Sequence, residues 1–254
     1  MRKLSSGLLL TLLIVTVFSS VNVFASTKTL VKDMAALDRQ YIAALALTSQ
    51  QKLKPAADAM ARLLPLWKSF NHKHSNMVKK DTAWKTDMVK IDHYIQAANK
   101  IVKTGKNLID AHEELEQVRI VMMHARERLH IDYFIDHLTR FHVPMETLVL
   151  TVKGKSASDI SSETVAKMKT ELKMAKSLWQ KVIQAEVDKN LFGFSDEKAN
   201  MVKGLKLKET EALARLETAL AAGNHDVIIK AGVAIKPPFA KMFMLFGALP
   251  VNPD

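Results

Sequence analysis

Apolar residues recur at every third or fourth position along most of the chain, the spacing that draws a stripe down one side of an α-helix. The first stripe runs from Leu30 to Thr48 through Met34, Leu37, Tyr41, Ala44 and Leu45. A second helix is predicted over residues 51–70. Pro55 suits its first turn, whereas Pro65, with no N–H and a ring that crowds the preceding turn, predicts a kink just ahead of Trp67. Asp81 reads as the N-cap of a third helix with the stripe Trp84, Met88, Ile91, Ile95, Ala98 and Val102, stopped by Gly105. Asn107 caps a fourth stripe, Leu108, Ala111, Leu115, Val118, Met122, Ala125 and Leu129, which meets no breaker before Pro144. Residues 107–143 therefore read as one helix, about 50 Å long at about 1.5 Å per residue. Met145 to Val152 adds one or two turns, and Lys153 to Ser162, rich in Gly, Ser and Asp, is a linker ending in helix-start signals. Helices over residues 163–186, 196–222 and 224–246 complete the chain, the last distorted by Pro237 and Pro238.

The pattern predicts an all-α, up-and-down helical bundle. Short connections force antiparallel neighbours, and a faint repeat suggests two pseudo-duplicated four-helix units. Met34 and Leu37 parallel Met145 and Leu148, Leu66-Trp67 parallels Leu178-Trp179, and Thr104-Gly105 parallels Ala222-Gly223, a period of about 115 residues. Taken with the leader described next, the expected organisation is a signal peptide at 1–25, a first unit at 26–144 carrying the long polar-striped helix 107–143, and a second unit at 145–254. Composition agrees. Eight Gly and seven Pro in 254 residues leave little of the turn chemistry of an all-β chain.

The amino-terminal segment follows the grammar of a secretory signal. Arg2 and Lys3 precede an apolar run, Leu8 to Phe18, interrupted only by Thr11 and Thr16, and Val23-Phe24-Ala25 ends on residues a signal peptidase reads. The run is shorter than the roughly 17 to 25 residues that span a bilayer, so cleavage after Ala25 and no membrane span thereafter are expected. Loss of Arg2 and Lys3 takes the net charge from +11 to +9. The expected location is therefore exported, periplasmic or extracellular. Lysines are scattered at helical spacing instead of gathered with aromatics, which excludes nucleic acid as the expected partner and favours an acidic protein or an anionic surface.

Absence of cysteine excludes disulfides, a thiolate zinc site, a Cys nucleophile and c-type haem. No Gly-x-Ser-x-Gly, His-Glu-x-x-His or phosphate-cradling glycine loop occurs, and His112-Glu113 has Glu116 where a zincin's second histidine belongs. The distinctive segment is residues 107–152. It holds none of the chain's 29 lysines, where about five are expected, yet five of its nine histidines. Arg and His replace Lys where polar groups must be partly buried and paired in fixed geometry. His112, Glu116, Arg119, Met123, Arg126, His130, Tyr133 and His137 step by four and three along one face. The expected result is a buried network of Arg119, Arg126, Asp132, Asp136 and His137 with their neighbours, each partner offsetting the other's desolvation.

The competing chemistry is metal binding. His112 with Glu116, and Glu127 with His130, have the one-turn spacings by which bundle helices offer imidazole and carboxylate to an ion, iron or copper being the candidates. Glu127-Arg-Leu-His130 resembles the Glu-x-x-His element of di-iron carboxylate bundles, but Lys230 and Pro237 stand in the second half where the first has His112 and Arg119. The layout is similar to that of exported helical-bundle cytochromes, which implies non-covalent haem, though no motif carries it. The sequence therefore points to a non-enzymatic, exported binding or accessory protein that takes a protein partner or small ligand, with a metal- or haem-binding protein as the alternative.

Overall fold

Every element among the described residues is helical, as the apolar periodicity predicts. The structure is a computed structural model and describes residues 12–75 and 82–249, with side chains from Thr27 onward. Its elements are α1 (Leu12–Ser49), α2 (Leu53–His74), α3 (Thr82–Thr104), α4 (Leu108–Arg128), α5 (Phe134–Val152), a 3-10 turn (Ala157–Asp159), α6 (Ser162–Gln184), α7 (Lys189–Phe192), α8 (Asp196–Ala222), α9 (His225–Ala234) and α10 (Lys236–Met244). The side chains of the leader and the expected cap Asp81 lie outside the described residues. No helix among the described residues is long and apolar enough to cross a membrane.

Local chemistry accounts for most boundaries. The side chains of Ser161, Ser195 and Asn224 accept from backbone N–H groups three residues on, starting α6, α8 and α9. Gly105 and Gly223 take left-handed φ values of 66° and 74° just past α3 and α8, a conformation that costs a side chain energy. α2 continues through Pro65 without a break. Ala61, whose carbonyl the proline leaves without its helical donor, is exposed, as is Pro65 itself, so water can take that oxygen.

Three expectations are corrected. Residues 107–143 are not one helix: α4 ends at Arg128 and α5 begins at Phe134, then runs through Pro144 to Val152. The break is a Schellman turn. The Ile131 N–H bonds to the Arg126 carbonyl at 3.0 Å and the His130 N–H to that of Glu127 at 3.0 Å, with His130 at φ 54° in the position where glycine is usual. Asn107 is itself left-handed at φ 42° and makes no side-chain cap bond to the backbone; its amide donates to Asp110 at 2.7 Å instead. The last helix is also divided, at Ile235, with Pro237 and Pro238 in the first turn of α10 where their missing N–H groups cost nothing.

Packing forms two circuits. α1 packs on α2, α2 on α3, α3 on α4 and α4 back on α1, while α5 packs on α6, α6 on α8, and α8 on α9 and α10, which return to α5. The repeated sequence positions occupy corresponding places in these circuits. Trp67 on α2 donates from Nε1 to Asp92 on α3 at 2.8 Å, and Trp179 on α6 donates to Thr210 on α8 at 2.9 Å. The circuits share one continuous core from Leu30 to Phe246. They join where α1 meets α7 and α10 and where α4 meets α5. Phe246 stacks among Phe134, Phe192 and Phe194 at centroid distances of 5.4, 4.9 and 4.9 Å. Beside it, a Cβ on Gly247 would lie 2.8 Å from Ile42 of α1, so the segment can seat there only without a side chain. The Ile235 to Phe246 segment thus closes the core, with Ile235 and Met242 at 0% exposure.

Candidate functional site

The polar residues of α4 and α5 face one another across the turn at residues 129–133, and long arginine side chains reach between the two helices. Arg126, on the last turn of α4, is 1% exposed, and Asp136, on the first turn of α5, is 2% exposed. The guanidinium grips the carboxylate bidentately, Nε donating to Oδ2 at 2.9 Å and Nη2 to Oδ1 at 2.6 Å. It lies over the Tyr133 ring at 4.4 Å, and its Nη1 stands 4.0 Å from Asp38 of α1. The Tyr133 hydroxyl donates to Asp38 at 2.8 Å.

One buried cation here meets two carboxylates. Burial pushes the Asp38 carboxyl up to about 6, outweighing the opposing pull of Arg126 and the Tyr133 hydrogen bond. Burial alone would lower Arg126, but Asp136 more than reverses that and holds it firmly charged. Asp38 thus holds its proton more tightly than an ordinary carboxyl does.

A second cluster lies nearer the start of α4. Arg119, 5% exposed, pairs with Glu116 one turn earlier and donates to Nδ1 of His142 on α5. His142 is held neutral, its pKa lowered to about 2 by burial first and then by Arg119 and Lys236. Its Nε2 stands 3.8 Å from Glu146, which also accepts from Lys236 of α10 at 2.9 Å. Nε2 of His112 is 3.4 Å from Glu116, and its Nδ1 donates to the Leu45 carbonyl of α1 at 3.1 Å. Burial raises the Glu116 carboxyl more than Arg119 and His112 lower it. The Arg119 guanidinium also lies 5.6 Å from the Phe243 ring of α10. Side chains from α4, α5 and α10 and a backbone carbonyl of α1 thus converge on Arg119 and its partners.

The remaining expected residues are dispersed. His137 pairs with Asp132 at 3.1 Å, but Asp132 is 90% exposed, so this pair sits at the edge of the network. Glu127 is bound by Arg140, whose Nε donates at 3.0 Å, and His130 is exposed on the turn. Of the candidate metal set, His112 and Glu116 meet each other while Glu127 and His130 lie elsewhere with their own surroundings. Among the described residues, no three His, Cys, Asp or Glu side chains converge as a metal group. Spacing is the physical reason: Glu116 and Glu127 are eleven residues apart on α4, about 16 Å along its axis, and the turn carries His130 out to solvent.

Sequence reasoning missed several buried polar groups, Asp38, Glu209 and His74 among them. Asp38 and Glu209 stand at stripe positions, four residues after Met34 and Leu205 respectively, which is the signal that could have found them. His74, at the end of α2, is 0% exposed; its Nε2 lies 2.7 Å from Asp33 and its ring packs 4.7 Å from Phe70. Pairing with a carboxylate on α1 makes that burial tolerable.

Replacing Arg119 by Ala is expected to destabilise the protein by about 3 kcal/mol in urea melts, because Glu116 would lose its cation and His142 its donor while both stay largely enclosed. A loss below about 1 kcal/mol would mean that the cluster is solvated like an ordinary surface pair. No family model, curated protein or solved structure matches the chain.

Proposed function

We propose that the chain is an exported binding or accessory protein with no chemistry of its own, in which two four-helix units descended from one duplicated unit are locked together by the α4–α5 polar network. The observation that carries this reading is the Arg126–Asp136 pair. The most deeply buried charges of the Lys-free segment are spent on each other and on α1, not presented to a cavity. Duplication is supported by the matched tryptophan bonds across the second and third helices of each circuit. Export is supported by the leader's charge and apolar run.

The test is metal analysis with an absorption spectrum on untagged protein purified from its native envelope fraction. The expected result is neither stoichiometric metal nor a haem band. Stoichiometric iron or copper, or a Soret absorption, would overturn the reading in favour of a metal or haem carrier.

A further inference from the structure

The first circuit is open on one side. Between α2 and α3 runs a groove of about 770 Å3, bordered along α3 from Lys85 to Lys103 and along α2 from Leu64 to Ser75. At about 1.5 Å per residue its α3 wall is about 27 Å long. Lys68 and His72 on α2 and Lys85 and Lys103 on α3 line it, all exposed, and none forms an ion pair with a described residue. Its one acid, Asp92, is engaged by the Trp67 indole. Between the cations lie apolar surfaces, Pro65 on one wall and Val89, 63% exposed, on the other.

The corresponding helices of the second circuit border smaller grooves, of about 350 and 550 Å3, and partly bridge them. There Lys176 of α6 reaches Glu217 of α8 at 2.6 Å, and Lys206 of α8 donates to the Ala185 carbonyl at 2.8 Å just past α6. Lys176 of the second circuit thus has an acidic partner across its groove, whereas among the described residues the four cations of the α2–α3 groove have none.

We infer that the α2–α3 groove docks an acidic, amphipathic helical segment of a protein partner, with carboxylates against Lys68, Lys85 and Lys103 and an apolar stripe against Pro65 and Val89. The inference deepens the binding reading proposed above and rests on it. Length and shape favour a rod-like occupant: a concave trough with cations on both walls matches the two polar flanks of a helix, whereas a flat anionic bilayer would touch only the rims. A second copy of the chain is disfavoured by like charge, since the protein carries +11. Trp67 is 1% exposed and so offers no stacking face to a nucleic acid base.

The test uses the full chain and two fluorescein-labelled peptides of about 18 residues, each with a Leu stripe, flanked by Glu in one and by Lys in the other. The Glu peptide is expected to bind in fluorescence polarisation with one-to-one stoichiometry, weakening about tenfold between about 50 and 300 mM salt, and the Lys peptide not at all. Combining Lys68→Glu, Lys85→Glu and Lys103→Glu should weaken binding at least about tenfold, while the equally charge-changing Lys54→Glu, Lys106→Glu and Lys208→Glu set, exposed and outside the groove, should leave it within about twofold. Circular dichroism melts establish that both sets fold. Equal losses in the two sets, no binding of the Glu peptide, or capture by phosphatidylglycerol vesicles in its place would overturn the inference. A metal found in the native protein would instead sink the proposed function, leaving the peptide titration to judge the groove alone.

Discussion

Arg126→Ala is expected to cost about 3–5 kcal/mol of folding stability, the largest single-site effect in the network, because it strands the Asp136 and Asp38 carboxylates in an interior where neither can regain water. The arginine makes two bonds to Asp136, faces Asp38 and covers the Tyr133 ring, so one substitution removes contacts to α1, to α5 and to the turn between α4 and α5. Some of the loss returns at low pH, where Asp38, already raised to about 6, protonates readily. The informative companion is the paired replacement Arg126→Met with Asp136→Leu, which removes both charges and keeps the volume. It should recover the part of the loss owed to Asp136, since a buried ion pair is worth little more than well-packed hydrocarbon while half of one is costly; the part owed to Asp38 stays. Urea melts of the single and paired variants at pH 7 measure both quantities. A cost below about 1 kcal/mol for Arg126→Ala would show that water reaches the cluster.

The elements were legible because their signals are local and redundant. The α3 stripe from Trp84 to Val102 is buried at every expected position, and Gly105 ends the helix as its left-handed preference requires. The break at residues 129–133 was not legible, because its left-handed residue is His130 and not the glycine that normally announces such a turn. With that break unseen, the polar residues of 107–143 looked like one stripe. They are two facing sets, Arg126 opposite Asp136 and Arg119 opposite His142. The absence of lysine did foretell the burial of Arg119, Arg126 and Asp136, since that composition follows from the desolvation each group must meet and not from the path of the chain. Partners from elsewhere, Asp38 on α1 and Lys236 on α10, depend on tertiary packing that no local pattern encodes.

The two packing circuits differ in where they place polarity. In the first circuit the fourth helix, α4, carries the ionic residues that reach α5. In the second, the corresponding α9 and α10 supply Ile235, Phe239 and Met242 to an apolar core. An aromatic cluster around Phe246 holds the junction without directional preference, whereas the bidentate Arg126–Asp136 pair fixes its angle. Non-directional burial and directional pairing together hold the α2–α3 groove at a defined orientation to the rest of the molecule.

Stability should also fall steeply with rising pH, and Glu209 is the cause. It sits on α8 at 0% exposure, neither carboxyl oxygen has a hydrogen-bond partner of normal geometry, and burial pushes its pKa up to about 8, the nearby Phe239 backbone N–H offsetting only a small part. The folded protein binds this proton more tightly than the unfolded chain does, so folding is favoured below the unfolded value of 4.5 and is progressively penalised as pH rises from there through about 8. A shift of this size corresponds to about 5 kcal/mol at most, reached above pH 8. Asp38 adds a loss of the same sign that is complete by about pH 6 to 7, so the two can be separated by where the slope lies. Glu209→Gln, which cannot ionise, should flatten the melting temperature between pH 6.5 and 8.5 and leave the variant more stable than the wild type at the upper end, although its buried amide costs about 1–3 kcal/mol at pH 5. Parallel pH profiles for the two proteins would mean that the Glu209 carboxyl reaches solvent when ionised, and that the contact between α8 and α10 opens without penalty.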